Sequence, residues 1–274
     1  MKKLVLANVL VSVFATVGVA QTASAADDFT ITGNAGMFSD YRFRGISQTN
    51  NDVAFQGGFD LTHKSGLYAG VWNSNVGFGG GTANGNGLET DVYGGYTFPI
   101  GPVTADVGLL KYIYSGTTQQ ATQNAGEFTQ FDTLEAYAKA SAYGFTLAGY
   151  YALSDDYFGT SDQSAGTIAK RADMSGSTYV NLAYKYSFSD KLSLSAAVGQ
   201  TNFAKPVAAN LHGSGLVDSY VDYSIGVTYN LAGFDLGLSY VDGDKDMESI
   251  AVGAGGFNRD AGRGDVVVSI KKSF

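Results

Sequence analysis

Charged side chains that could act on a solute are few, and they sit in alternating company. Asp40, Arg42 and Arg44 are interleaved with Tyr41 and Phe43, Glu89 and Asp91 stand two residues apart, Glu135 and Lys139 four apart, and Asp222 lies between Val221 and Tyr223. Acids and bases spaced by two share one face of an extended strand, where they can filter charged solutes or brace one another as ion pairs. A catalytic centre needs something else, a base beside a nucleophile or an activated water. The two histidines do not supply it: His63 lies beside Lys64 in a turn, and His212 has no acid nearer than Asp218. With Cys 0, thiolate metal sites, Fe–S clusters, disulfides and cysteine nucleophiles are excluded. The run Asp242-Gly243-Asp244-Lys245-Asp246-Met247-Glu248 has the alternating carboxylates of an EF-hand loop, but Met247 replaces the turn glycine and Gly253 the bidentate glutamate. It reads as a solvated acidic loop. Gly77-Phe78-Gly79-Gly80-Gly81 lacks the Gly-Lys and helix of a phosphate loop, and Arg263-Gly264-Asp265 matches an integrin-binding tripeptide only by chance. No catalytic residue, metal or cofactor is expected.

The elements that would hold the charged groups are strands. Gly 37, Tyr 18 and Phe 17 among 274 residues stand against Pro 3, and only 15% of the chain is charged. Glycine is nearly twice its average share of about 7%, yet scarce proline and abundant aromatics exclude collagen-like and low-complexity chains. Residues 1–25 read as a cleaved signal peptide, with basic Lys2 and Lys3, the mostly apolar stretch Leu4 to Val19, and the small-residue signal Ala23-Ser24-Ala25. Residues 26–274 then form one exported domain. Losing Lys2 and Lys3 makes it two units more negative than the −8 of the whole chain. It has no basic stripe for nucleic acid.

Across residues 26–274, apolar and polar residues alternate with period two, the mark of strands with one apolar face. From Phe29, one face carries Ile31, Ala35, Met37, Tyr41 and Phe43, and the other Thr30, Thr32, Asn34, Asp40, Arg42 and Arg44. The pattern recurs at Val53–Thr62, Leu67–Ser74, Leu88–Phe98, Val103–Tyr114, Asp132–Ala142, Phe145–Leu153, Thr178–Phe188, Leu192–Phe203, Ser219–Tyr229, Phe234–Tyr240 and Asp265–Phe274, giving twelve strands. Asp132 to Gly144 also reads locally as a helix, with Asp132 as N-cap and Glu135 four residues before Lys139. A strand there preserves both the even count and the rhythm of the connections. Those connections alternate between short turns, such as Tyr143-Gly144 and Asn230-Leu231-Ala232-Gly233, and long polar loops, such as Ser154–Ser177 and Val241–Gly264. Short turns at one end and long loops at the other, with an even strand count, predict an all-β fold: a transmembrane antiparallel up-and-down β-barrel of the outer membrane, termini periplasmic. Tyr41, Phe43, Tyr68, Trp72, Tyr96, Phe98, Tyr184, Tyr186, Phe188, Tyr229 and Tyr240 are expected in aromatic girdles at the headgroups. Phe274 ends an apolar-alternating strand, as in bacterial barrels recognised for assembly.

Ser39-Asp40-Tyr41-Arg42-Phe43-Arg44-Gly45-Ile46-Ser47-Gln48-Thr49, then Gln56-Gly57-Gly58, Tyr68-Ala69-Gly70-Val71-Trp72-Asn73-Ser74-Asn75-Val76 and Glu89-Thr90-Asp91 with Gly94-Gly95-Tyr96, resemble the TorF family of proteobacterial porins. The resemblance is densest over residues 39–96 and implies an outer-membrane barrel acting as a porin, without naming a substrate. From strand parity, Asp40, Arg42, Arg44, Glu89, Asp91, Glu135, Lys139 and Asp222 are expected to line the lumen. All but Lys139 should meet in its extracellular half, where acids outnumber bases. The expected function is a weakly cation-selective channel for small polar solutes or ions. A plugged structural barrel, a surface-loop adhesin and an outer-membrane enzyme are the alternatives. Expected partners are outer-membrane lipids and lipopolysaccharide, permeating solutes, and the barrel-assembly machinery through Phe274.

Overall fold

Strand-forming alternation shapes almost all of the chain that the computed structural model describes, residues 28–77, 86–115, 131–160, 172–209, 215–251 and 261–274. The expected signal peptide, His212, Gly253 and Gly79-Gly80-Gly81 lie outside the described residues. In chain order the elements are β1 (Phe29–Phe38), the short β2 (Arg42–Phe43) and β3 (Ile46–Ser47), β4 (Ala54–His63), β5 (Leu67–Gly77), β6 (Asn86–Ile100), β7 (Val103–Ser115), β8 (Thr133–Ala142), β9 (Phe145–Ala152), β10 (Thr178–Ser187), β11 (Leu192–Ala209), β12 (Gly215–Leu231), β13 (Phe234–Gly243), α1 (Lys245–Ala251) and β14 (Asp265–Ser273). Twelve of these strands form a closed antiparallel barrel in chain order, and β2 pairs only with β3. The seam runs from Asn34↔Ser273 to Phe38↔Ser269. It is extended by Gly33 and Phe274, which exchange backbone hydrogen bonds of 2.7 and 2.9 Å. Helical propensity in β8 is overridden because both edges are paired, with β7 from Thr104↔Ser141 to Tyr112↔Thr133 and with β9 from Glu135↔Ala152 to Ala142↔Phe145.

At one end the connections are tight. Tyr143-Gly144 and Ala232-Gly233 each place two consecutive residues at positive φ, the two-residue hairpin geometry that matches strand twist. The long connections gather at the other end, hereafter the loop end.

The wall is apolar outside. Ile31 is 70% exposed, Phe55 61%, Leu147 53% and Val268 55%, a belt that lipid solvates and water does not. Tyr96 stacks on Phe98 at 5.4 Å, and Phe145 packs against Tyr184 in a tilted pair at 4.4 Å. With Tyr186, Phe188, Tyr229 and Tyr240 they lie on the outward parity near strand ends, as the girdle expectation requires. Tyr41, Phe43, Tyr68 and Trp72 do not belong to the girdle: they are enclosed inside the barrel.

Two expectations about the loop end are corrected. β1 stops at Phe38, so Asp40, Arg42 and Arg44 do not continue it. Residues 39–53 fold inward instead, as the β2–β3 hairpin, turning at Arg44 and Gly45 with φ of 48° and 85°. Asp40 organises this segment by accepting hydrogen bonds from Ser47 (2.6 Å) and Thr49 (2.9 Å). Alternation survives in a hairpin inside the lumen as well as in the wall, which is why sequence parity did not separate the two. The acidic run at 242–248 is likewise no solvated loop. Asp244 caps α1 by accepting from the Met247 amide at 2.9 Å and ties it to β12 through the Val221 amide at 2.8 Å. Met247 is fully buried against the infolded segment and the wall. β11 and β12 also run longer than expected, with a register shift between Asn202 and Val207.

The inside-out wall yields a test. Leu109→Arg, outward at mid-strand on β7, should lower unfolding free energy by about 2–4 kcal/mol in urea titrations of vesicle-folded protein. Ser195→Arg, inward on β11, should cost less than half as much.

Candidate functional site

Inward parity gives the lumen two unlike walls. On β5 to β10 it presents Tyr68, Tyr93, Tyr112, Tyr137, Tyr150 and Tyr179, which form one packed aromatic cluster. On β11 to β14 the residues at inward parity are mostly small, among them Ser195, Gly226, Thr228, Gly237 and Ser239. Into this space at the loop end come the β2–β3 hairpin, Tyr157 and Phe158 from the β9–β10 connection, and Met247 of α1.

The hairpin carries both of its arginines into buried contacts. Arg42 pairs with Asp40, donates to the carbonyls of Gly45 (3.2 Å), Ala261 (3.0 Å) and Arg263 (2.8 Å) and to Asn51 (2.8 Å), and lies 3.7 Å from Asp265. It fastens the hairpin to the segment leading into β14. Arg44 reaches the opposite wall, where its Nη2 donates to both carboxylate oxygens of Glu135 on β8, at 2.9 and 2.7 Å. Its guanidinium also donates to the Tyr157 hydroxyl and lies 4.4–5.8 Å from the ring centroids of Phe43, Tyr150, Tyr157, Phe158 and Tyr179. Burial, against the opposing pull of the Arg44 charge, raises the Tyr157 hydroxyl well above its ordinary pKa, so it stays protonated while it accepts from Arg44. Carboxylate, hydroxyl and ring faces together suit a planar, weakly hydrated cation.

The remaining charged groups sit on the wall. Glu89 and Asp91 are neighbours on the inward face of β6. Glu89 accepts from the Tyr41 hydroxyl at 2.7 Å, and Asp91 lies between Trp72 of β5 and Tyr112 of β7. Asp222 on β12 accepts from Tyr179 at 3.2 Å. Nearer the turn end, Lys139 lies 3.7 Å from Asp106 and 4.4 Å from the Tyr137 ring centroid, and Tyr68 donates to Asp106 at 2.5 Å. The structure thus brings Asp40 to Arg42 and Glu135 to Arg44 at the loop end, and keeps Lys139 apart from them. Among the described residues Glu89, Asp91 and Asp222 have no ion-pair partner, and one oxygen of each lacks any hydrogen bond.

Sequence reasoning missed the aromatic half of this site. Trp72, Tyr68 and Tyr179 share parity with Ser74, Gly70 and Asn181, and that shared parity was the signal that they face inward. Tyr157 and Phe158 sit in a loop with no periodicity to read. Among the described residues no set of three or more His, Cys, Asp or Glu is arranged to hold a metal. His63 contacts Ser65 at 2.8 Å and approaches Asp28 at 3.8 Å in an exposed turn, where Lys64 also pairs with Asp28 at 2.6 Å. These contacts staple the first turn to the start of β1.

The sequence model of a family described as "Bacterial protein of unknown function (Gcw_chp)" matches residues 22–274. No curated protein matches the chain. Among solved structures it is similar to a KdgM porin in complex with disordered oligogalacturonate, at 8% identity over 89% of this chain and 98% of that one, TM-score 0.48. It is also similar to a NanC porin, at 11% identity over 88% and 98%, TM-score 0.46, and to a porin refined at 1.8 Å, at 14% identity over 90% and 100%, TM-score 0.39. Likenesses this distant carry no solute or selectivity across.

The grip of Arg44 on Glu135 predicts an asymmetric mutant cycle. Arg44→Met alone leaves a buried carboxylate unpaired and should cost about 3–5 kcal/mol, whereas Arg44→Met with Glu135→Leu should cost much less, measured by urea unfolding. Gly45→Ala should release the hairpin by a different route, because a Cβ there would lie 2.3 Å from Met247 Sδ and 2.9 Å from Asp222 Cβ.

Proposed function

The chain belongs to the Gcw_chp family, bacterial proteins of unknown function, so its activity must come from its geometry, and we propose that it is an outer-membrane channel for small polar solutes with a weak preference for cations. The observation that carries this reading is the unequal use of charge in the lumen. A barrel that needed only internal bracing would pair its ions, since a buried unpaired charge is expensive. Here both arginines of the β2–β3 hairpin are committed, to Asp40 and Glu135, while Glu89, Asp91 and Asp222 form no ion pair among the described residues and each keeps one oxygen without a hydrogen bond. Such a mouth concentrates cations near it and repels anions. The small-residue wall of β11 to β14 supports a path beside the tyrosines.

In this reading the chain is exported after removal of residues 1–25. It folds with the help of the assembly machinery that reads Phe274, and it sits among outer-membrane lipids and lipopolysaccharide with its long loops outside. The resemblance to the TorF porins agrees with the same assignment. A second reading, a barrel kept plugged, is favoured by the infolded hairpin and its two buried arginine anchors.

Conductance of the purified protein in planar bilayers separates the two. A channel gives discrete steps and a reversal potential shifted toward the cation equilibrium under a salt gradient. Glu89→Gln with Asp91→Asn should move that potential toward zero. Full insertion without current, in the native chain and in Arg44→Gln alike, would establish the plug.

Orientation has its own check, which the absence of cysteine makes clean. On intact cells a membrane-impermeant maleimide should label Asp173→Cys, exposed in the β9–β10 connection, and leave Asp190→Cys, in the turn between β10 and β11, unlabelled. The opposite result would invert the topology.

A further inference from the structure

Arg44 is held the way a bound solute is held. Its guanidinium takes both oxygens of Glu135 and lies among five aromatic rings, two of which, Tyr150 and Tyr179, belong to the barrel wall. Beside it the wall continues the same chemistry with no cation in place. Asp91 is 5% exposed and Glu89 1%, Asp91 Oδ1 and Glu89 Oε2 have no hydrogen-bond partner, and Trp72, Tyr112 and Tyr41 flank them. Asp91 stands two residues from Glu89 and cross-strand from Tyr112, whose hydroxyl donates to Glu135 at 3.3 Å, so the three carboxylates form one acidic strip with a guanidinium at one end only.

We infer that Arg44 is a tethered occupant of a guanidinium-binding strip, and that Glu135, Asp91 and Glu89 take small solutes bearing a guanidinium or primary ammonium group, which compete with Arg44 as they enter. This rests on the channel reading and names the class of solute it would pass. The chemistry favours such cations over sodium. A guanidinium offers donors in a plane that match a carboxylate edge, and it tolerates partial desolvation between ring faces, whereas sodium is strongly hydrated and gains little from tyrosine and tryptophan. Competition with Arg44 also explains how a buried strip is reached, because displacing that side chain frees the hairpin anchor on the opposite wall.

Trp72, the sole tryptophan, is cross-strand from Asp91 and reports on the strip directly. The full chain, folded in detergent micelles, is titrated with methylguanidinium or with methylurea, its uncharged isostere, while Trp72 emission is recorded. Methylguanidinium should give a saturable change and methylurea none at the same concentrations. Asp91→Asn and, independently, Glu89→Gln should each weaken the response about tenfold, the loss of one charged hydrogen-bond partner. Arg44→Gln should strengthen it by removing the competitor. Heat-modifiable migration on gels identifies the folded variants. Equal responses to the two solutes, or native affinity in both acidic variants, would overturn the site; unchanged affinity in folded Arg44→Gln would overturn the competition. Protein that conducts sodium in bilayers yet fails to distinguish the solutes keeps the channel and loses this site. Protein that distinguishes them and never conducts keeps the site and loses the channel.

Discussion

Everything in this structure depends on the seam between β1 and β14. In hydrocarbon no water can take up a stray backbone N–H or C=O, so a sheet crosses a membrane only when its last strand finds its first. The pairs from Asn34↔Ser273 to Phe38↔Ser269, continued by the two bonds between Gly33 and Phe274, accomplish this. The seam is tight on its outer face, where a Cβ on Gly33 would lie 2.6 Å from the Phe274 ring and would have to turn that ring aside. Closure forces an antiparallel meander to have an even number of strands. It also removes every sheet edge, and it lets the outer face be as apolar as Ile31, Phe55 and Val268 make it.

Closure also creates the second problem, an interior too wide for wall side chains to fill everywhere. Eight strands leave a space that side chains occupy and about sixteen leave an aqueous channel; twelve lie between. The chain answers unevenly. From β5 to β10 long tyrosines project inward and pack in tilted pairs, with Tyr137 and Tyr150 at 5.8 Å and Tyr150 and Tyr179 at 6.1 Å. At the loop end the β2–β3 hairpin supplies what the wall lacks. It is fixed at both sides, by Arg42 to carbonyls before β14 and by Arg44 to Glu135 across the lumen.

The wall was legible in the sequence and the filling was not. Period-two alternation set nearly every barrel strand, and even β8, whose local propensity is helical, fell into place once the rhythm of short and long connections was weighed above its alanines. That rhythm reports a global constraint, closure, so it survives local ambiguity. Residues 39–44 show the converse. Tyr41-Arg42-Phe43-Arg44 alternates as well as any wall strand, and only the Arg44-Gly45 turn and the side-chain bonds of Asp40 mark it as a hairpin. Of the charged residues expected in the lumen, those on β6, β8 and β12 face inward by parity alone, whereas Asp40, Arg42 and Arg44 reach it by a fold that parity does not encode. Tyr157 and Met247 take their places through tertiary packing, which leaves no periodic trace.

The choice of Arg44 to hold the hairpin is informative because it is a poor choice for stability alone. Burying a guanidinium and a carboxylate costs several kcal/mol per ion in desolvation, and well-packed apolar residues of similar volume often serve as well or better. What an ion pair adds is register and exchangeability. Two hydrogen bonds to Glu135 fix where the hairpin lies, and the same two bonds can be offered by any other cation of like shape. A leucine plug would be indifferent to what arrives at the mouth; in the proposed reading the groups that hold Arg44 also bind what arrives. The wall next to it carries Glu89 and Asp91, each with one buried oxygen that accepts no hydrogen bond. The interaction that anchors the hairpin is therefore of the same chemical kind as the one proposed to release it.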